Sequence, residues 1–422
     1  MSVTRRVTFR LYPKPAQESK LFEWRRLHCY LYNSALADRK DSYQKLNQSV
    51  GYRDQQNRLP AFKAVWTEYK QLGSQALQAT LKRVDFAFQR FFKGLGGYPR
   101  FASIRTYSGW TYPATSGWKA HTTGDNGYLE VSNLGQIQMR GKARTWGTPT
   151  TCTVVYRHGK WYASITVKCE PVRATQPNAV GIDFGTLTAV ALSDGTKIEN
   201  PRFLATTQAR IRTASKQKRR KRAPNRKQKV RASRRWKKAQ SKVSKLTRKA
   251  ARQRTDWAHK LTTEIVRCNS LVVTEKLTIK NMTRKPKKGS KRKRQKSGLN
   301  RSILDVGWGM MRGMFEYKEA EANGVYLEAP TQQLKPSQRC PQCWNIQPKT
   351  LAERVHHCQE CGCTEDRDVA SARVCLIWAQ GLGTSLLDAD QSGSTSQARS
   401  NTGSLKQLAE TKRQKPHLLS EA

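Results

Sequence analysis

Val180-Gly181-Ile182-Asp183-Phe184-Gly185 sets an aspartate at the end of a short apolar run. Thr188 to Leu192 is a second run, and Ser193-Asp194-Gly195 supplies a turn. Short apolar runs bounded by Gly and polar turn residues read as strands. The pair therefore reads as a hairpin with a carboxylate in its first strand. Further on, Leu271-Val272-Val273-Thr274-Glu275 is another buried strand that ends in a carboxylate. The acidic run Glu365-Asp366-Arg367-Asp368 opens a last helix, Asp368 to Gln380, with Val369, Ala372, Leu376 and Ala379 on one face.

Two-metal phosphodiester hydrolysis needs acidic groups from separate elements that converge on ions about 3.5–4 Å apart. A hairpin strand with Asp183, a neighbouring parallel strand ending in Glu275 and a helix beginning at Asp368 would supply them. That element order is the one an RNase H-like sheet provides. Alone, Asp183 reads as a solvated strand or turn aspartate and Glu275 as a strand-end surface residue; spacing does not establish convergence. Asp366 is a rival for the third position. A DNA transposase of the related DDE type would carry the order Asp, Asp, Glu, whereas the order here is Asp, Glu, Asp.

Cys340/Cys343 and Cys358/Cys361 form two Cys-x2-Cys pairs immediately before the acidic run. This is the spacing of a four-thiolate zinc ribbon. His356, His357 and Cys363 are nearby substitute ligands. A filled four-thiolate site has no open position, so this zinc would be structural and not the catalytic metal.

The 422 residues carry 79 Lys plus Arg against 30 Asp plus Glu, a formal charge of +49. Such an excess calls for a polyanionic partner whose counterions are released on binding. From Arg210 to Arg254 about half of the residues are basic and none is acidic. A solvated helix is a poor alternative, because like charges one turn apart repel. Arg219, Arg220, Lys221, Arg222, Arg234, Arg235, Lys237 and Lys238 are the candidate nucleic-acid contacts. No apolar run approaches the roughly 20 residues that span a bilayer, and no signal-peptide pattern opens the chain. The expectation is a cytoplasmic, nucleoid-associated protein with reduced cysteines.

Val7, Phe9 and Leu11 alternate as a strand. Helical spacing follows from Ala16 to about Ala37, again through Phe62, Val65, Tyr69 and Leu72, and again through Leu77, Leu81, Val84, Phe88 and Phe91. From Gly94 to about Glu170, short alternating runs predict a small antiparallel β domain completed by the N-terminal strand. Pro171 to Pro177 reads as a linker, Ser302 to Asn323 as one helix, and Val325-Tyr326-Leu327 as a strand. The aromatic residues supply the core and candidate base-stacking platforms. The stretch after Gly381 reads as disordered.

Several of these motifs together resemble the TnpB family, the RNA-guided nucleases of bacterial insertion sequences and relatives of compact type V CRISPR effectors. They are Gly181-Ile182-Asp183-Phe184-Gly185, Val272 to Leu277 with Ile279-Lys280-Asn281-Met282, the two cysteine pairs, and Asp366-Arg367-Asp368. Phe9-Arg10-Leu11-Tyr12-Pro13 and the Phe315 to Ala320 region add to the likeness. The resemblance implies a multidomain α/β protein. Its parts would be an N-terminal strand (1–13) of a β (wedge) domain, a helical recognition domain (14–95), the rest of the wedge (96–175) and a RuvC-type, RNase H-like nuclease (176–333) with a basic helical segment (205–260). A zinc ribbon (334–364), the final RuvC helix (365–380) and a disordered tail (381–422) would follow. It further implies the triad Asp183, Glu275 and Asp368 with two Mg²⁺, one structural Zn²⁺, a guide RNA, and double- and single-stranded target DNA beside a short flanking motif. Whether one copy acts or a homodimer is left open. A nuclease-inactive, RNA-guided repressor would show by loss of a carboxylate, and all three are present. A purely RNA-binding protein would account for the charge alone. Two departures stand out. Asp368-Val369-Ala370-Ser371-Ala372 replaces the usual Asp-x-Asn-Ala-Ala, and Trp344 follows the first cysteine pair where glycine is usual.

Overall fold

Alternation of Val7, Phe9 and Leu11 with polar neighbours builds strand β1 (Val3–Tyr12) in a computed structural model. It describes residues 2–381 except 171–172, 226–227, 287–288, 290 and 351. The tail expected to be disordered lies, from residue 382 onward, outside the described residues. The chain divides into two units, Met1–Val172 and Arg173–Ala422.

In the first unit helices α1 (Pro15–Leu46), α2 (Tyr52–Asn57), α3 (Leu59–Val65) and α4 (Ser74–Phe92) follow β1. Then come β2 (Gly109–Tyr112), β3 (Trp118–His121), β4 (Gly127–Val131), β5 (Gly135–Arg140), β6 (Thr148–Arg157) and β7 (Lys160–Cys169). The sheet order is β2-β6-β7-β1-β5-β4-β3, antiparallel throughout. The first strand is thus a central one, zipped to β7 from Val3↔Cys169 to Leu11↔Trp161. Its alternation follows from this place, because Phe9 and Leu11 face a core shared with the helices. Trp24, Trp110 and Trp161 meet edge-on there, with centroids 6.2 and 6.3 Å apart. His28 lies flat on Trp110 at 5.3 Å. Burial, then the Arg83 charge, lowers its pKa to about 3, so the ring stays neutral.

Two helix expectations need correction here. The first helix runs on past Ala37 to Leu46, ending where Asn47 takes a left-handed φ of 50°. The expected helix through Phe62 and Leu72 is broken at Trp66 (φ −104°, ψ 82°) and resumes only as a 3₁₀ turn, Thr67–Gln71. Tertiary bonding decides that break: the Tyr69 hydroxyl donates to the Leu27 carbonyl at 3.1 Å, and its ring sits edge-on to Phe62.

The second unit begins with β8 (Ala179–Asp183), β9 (Thr188–Leu192) and β10 (Lys197–Glu199), a third strand beyond the expected hairpin. The basic run becomes α5 (Phe203–Arg219) and α6 (Arg234–Cys268), and β11 (Leu271–Glu275) follows. After α7 (Ile279–Met282) come α8 (Lys293–Val306), α9 (Trp308–Glu321), β12 (Val325–Ala329) and α10 (Thr331–Leu334). The cysteine module contains β13 (Val355–His357) and β14 (Thr364–Asp366), and α11 (Arg367–Ala379) ends the described chain. The sheet order is β10-β9-β8-β11-β12. The three N-terminal strands form an antiparallel meander, and β8, β11 and β12 run parallel. All five residues of β11 are buried, as a strand covered on both faces requires. On one face Ile182 and Val272 pack with Ile265, Val306, Met311 and Phe315. On the other, Leu271 and Val273 pack with Val374, Cys375 and Ala379 of α11. The single helix expected from Ser302 to Asn323 is in fact two: Gly307 adopts φ 85° and ends α8 by donating to the Ile303 carbonyl. No helix among the described residues is long and apolar enough to cross a membrane.

Candidate active site and metal centre

Asp183 and Glu275 are the last residues of two adjacent parallel strands, so both carboxylates leave the sheet at the same edge. Helix α11 brings the third. It lies so close on β8 that a Cβ built on Gly181 would stand 1.9 Å from the Ala372 carbonyl oxygen. Only glycine permits that approach. From this contact, two strand residues lead to Asp183 and about one helical turn back leads to Asp368. The three carboxylates therefore come from three separate elements to the same end of the sheet, while among the described residues only the cysteine groups bring three or more ligand atoms within 4.8 Å of one another.

The electrostatics follow from this placement. Burial raises the pKa of Asp183 well above the usual carboxylate range, and the Glu275 and Asp368 carboxylates push it further. The Arg367 guanidinium and the Phe184 N–H act the other way. Burial also raises Glu275, against a hydrogen bond from Ser371. A buried carboxylate raised by two neighbouring ones is what a divalent cation relieves, so the donor set suits a hard, oxygen-ligated ion.

Asp366 is placed differently. It is the N-cap of α11, and its Oδ1 accepts from the Asp368 and Val369 amides at 3.0 and 3.2 Å. Its other oxygen pairs with Lys197 of β10. Burial acts upward on its pKa, but Lys197 and the two amides outweigh it and hold the group below its ordinary value. Both oxygens are thus already engaged, one in starting the helix that carries Asp368 and the other on Lys197.

Two neighbours carry no clear signal in the sequence. The Arg367 guanidinium reaches Asp368 Oδ1 at 3.2 Å and the Glu353 carbonyl at 2.9 Å, tying the cysteine module to the carboxylate. Ser371, buried one turn after Asp368, donates to Glu275 Oε1 at 3.2 Å. Its only mark in the sequence is the departure from Asp-x-Asn-Ala-Ala. If Glu275 holds a divalent cation, Ser371→Ala is expected to raise the Mg²⁺ concentration that half-saturates cleavage by about 10-fold or more, as loss of a group that orients a metal ligand does. Ser371→Thr, which keeps the hydroxyl, should restore it. An unchanged metal titration for Ser371→Ala would reduce the bond to packing.

The four cysteines Cys340, Cys343, Cys358 and Cys361 bring their sulfurs within 4.8 Å of one another. The Cys340–Cys361 and Cys343–Cys358 pairs stand at 3.6 and 3.5 Å. A tetrahedral site with Zn–S bonds of about 2.3 Å needs about 3.8 Å between sulfurs, so the group fits zinc. Burial acts upward on Cys358, but the Cys361 and Glu360 amides outweigh it and bring the thiol down to about 7. Cys340, His356 and Cys363 form a second, overlapping group within the same distance limit. His357 instead bonds Thr364 at 2.8 Å.

The residue after each cysteine pair turns left-handed: Gly362 at φ 71° and Trp344 at φ 66°. A tryptophan there is strained, by about 1–2 kcal/mol. Its indole is buried among Leu271, Val273, Leu334 and Val374, and Arg339 stacks on it at 5.0 Å. The tight turn survives without glycine because the side chain anchors the module to the sheet.

Arg219, Arg220, Lys221 and Arg222, at the end of α5, and Arg234, Arg235, Lys237 and Lys238, at the start of α6, are all exposed. None of the eight has a carboxylate partner among the described residues.

A mixed sheet with Asp183 and Glu275 at the ends of adjacent parallel strands, and a four-cysteine module leading into the helix of Asp368, is an arrangement that suits a metal-dependent nuclease. The chain is similar to several known proteins. The profile OrfB_IS605, "Probable transposase", matches residues 162–286. "Cas12f1-like, TNB domain" matches 308–375, and the "Helix-turn-helix domain" of OrfB_IS605 matches 1–48. The chain is 31% identical over 374 residues to "Putative RNA-guided DNA endonuclease InsQ" of Escherichia coli (strain K12), covering 86% of this chain and 90% of that protein. It is 32% identical over 399 residues to "Putative RNA-guided DNA endonuclease" of Streptomyces pristinaespiralis, covering 91% and 90%. A solved structure of the mini-RNA-guided endonuclease CRISPR-Cas phi3 overlaps 89% of this chain and 92% of its own at 9% identity and a TM-score of 0.41. The chain belongs to the TnpB family.

Proposed function

We infer that this protein is a guide-RNA-directed DNA endonuclease that cuts target DNA beside a short flanking motif. The observation that supports the reading is that strands β8 and β11 end side by side at Asp183 and Glu275, with α11, packed on Gly181, carrying Asp368 in its first turn. The names of the two relatives support the choice of RNA as guide and DNA as substrate. The second unit is then a RuvC-type, RNase H-like nuclease. The four cysteines hold one structural zinc, and the first unit combines helical recognition with a β wedge.

Two Mg²⁺ ions held by Asp183, Glu275 and Asp368 would supply activation of the attacking water and stabilisation of the leaving oxygen. The chain's own contribution is positional. Asp183 and Glu275 are fixed by the ends of two hydrogen-bonded strands, and Ser371 turns the Glu275 carboxylate. Arg367 holds Asp368, and the Trp308 indole N–H bonds the Gly185 carbonyl at 3.1 Å, fixing the loop after β8. Sequence choice falls to base pairing between guide and target strand. The test is purification with bound RNA, sequencing of that RNA, and cleavage of plasmids carrying the matching target. Absence of copurifying RNA, together with failure of any guide to direct cleavage, would overturn the reading.

The exposed bases of α5 and α6 should lie along nucleic acid. Neutralising Arg234, Arg235 and Lys238 together should weaken RNA binding. The slope of log affinity against log salt should flatten by about 0.7–0.9 for each phosphate no longer neutralised. An unchanged slope would mean that these side chains face solvent in the complex.

A further inference from the structure

The C-terminal end of α4 and the loop after it carry a ring cluster that no other described part of the chain covers. Phe92 is 76% exposed, Phe101 56% and Tyr98 45%. The rings are ordered among themselves: Phe91 lies 5.5 Å from Phe92 and 5.2 Å, edge-on, from Tyr98, and Phe88 stacks on Phe92 at 6.1 Å. Monomeric proteins rarely leave so contiguous an aromatic surface in water without a partner.

The charge around it identifies the partner. Lys40 lies over Tyr98 and Phe101, at 5.9 and 5.2 Å. From Lys82 to Arg105 the chain has six basic residues and one acidic, Asp85. That aspartate is already paired with Arg39 and Lys82. Arg90, Lys93 and Arg100 remain exposed beside the rings. An apolar protein surface would leave these cations desolvated and unpaired. A polynucleotide supplies a flat apolar face to the rings and a phosphate to the cations in the same repeat.

We propose that Phe92, Tyr98 and Phe101 form a stacking platform for unpaired bases of a nucleic acid strand. The inference rests on the nucleic-acid function above and assigns it a surface in the first unit. Duplexes bury their base faces, so the platform selects single strands, whether a guide RNA segment or separated target DNA.

The test uses the full-length protein and four fluorescent probes of equal length: single-stranded oligo(U), single-stranded oligo(dT), and an RNA and a DNA duplex. Affinities of wild type, Phe92→Ala/Phe101→Ala and Phe92→Trp are measured across a salt series. The double variant should bind one or both single-stranded probes about 10-fold or more weaker. Its salt slope should not change, because the same phosphates stay neutralised. Duplex affinity should stay at the wild-type value, and Phe92→Trp should bind as wild type or tighter. The oligo(U) and oligo(dT) arms tell which strand the platform takes. Equal single-strand affinity for the double variant, or an equal loss on duplexes, overturns the proposal. So does a shift from dimer to monomer with binding unchanged, which would make the patch an interface between copies. If wild type binds no nucleic acid at all, the parent reading fails instead.

Discussion

Asp183→Asn is expected to melt at a higher temperature than wild type in metal-free buffer at neutral pH, and to cut no target DNA. The two results have one cause. Burial and two neighbouring carboxylates raise the folded pKa of Asp183 above the value of about 3.9 that it has in an unfolded chain. As pH rises from the unfolded value through the folded one, the native state gives up a proton at a penalty the unfolded chain does not meet. Stability therefore falls across that window and stays lower above it. Asparagine carries no such penalty. Each kcal/mol recovered should appear as about 2–4 °C for a unit of this size. Mg²⁺ should reverse the order, raising the melting temperature of wild type by mass action and leaving Asp183→Asn nearly unmoved. Glu275→Gln should follow the same pattern. Guide RNA and target should still bind both variants, since neither lies among the exposed cations. Calorimetry with and without Mg²⁺, beside a cleavage assay, checks each part. Cleavage by Asp183→Asn at the wild-type rate would sink the RuvC assignment. Loss of cleavage in Asp366→Asn with full activity in Asp368→Asn would move the third ligand.

Cys340→Ser should empty the zinc site. Cys340 is buried and is the one cysteine shared by both candidate ligand groups, so neither His356 nor Cys363 can rescue its loss. Structural zinc contributes on the order of 10–16 kcal/mol to a small module of this kind, more than the module's short strands can replace. The expected result is below-stoichiometric zinc by elemental analysis and rapid proteolysis within 335–365. Cleavage should drop steeply, because β14 runs directly into α11 and Arg367 ties the module to Asp368. The exposed Cys343 offers the contrast. Cys343→Ser should also lower bound zinc, but less if His356 and Cys363 substitute. A brief chelator treatment should stop cleavage while zinc stays bound. Wild-type protein without zinc would remove the idea.

Much of the second unit is legible in the sequence because its signals are local. Each apolar run ending in a carboxylate marks a strand end, and the cysteine spacing is a property of the chain itself. What escapes is what tertiary contact decides. The 3₁₀ turn at Thr67–Gln71 follows from a bond between Tyr69 and Leu27, which no periodicity reports. Strand β10 has three residues, too few for a period to show. Gly307 inside an apolar helical pattern gives no sign in sequence that its φ is positive. The rivalry between Asp366 and Asp368 is beyond spacing altogether. Only the partners of each oxygen show that Asp366 caps the helix while Asp368 stands beside Arg367 and acts on Asp183.

The way α11 lies on Gly181 also bears on how the chain becomes active during its synthesis. The first strand of the nuclease sheet emerges from the ribosome long before the helix that must settle on it. Asp183 and Glu275 can be in register while Asp368 is still unmade. A partly translated chain therefore carries the basic helices α5 and α6 before it carries Asp368. On the function proposed above, a prematurely terminated product that ends before α11 would keep the basic helices and lack the third carboxylate.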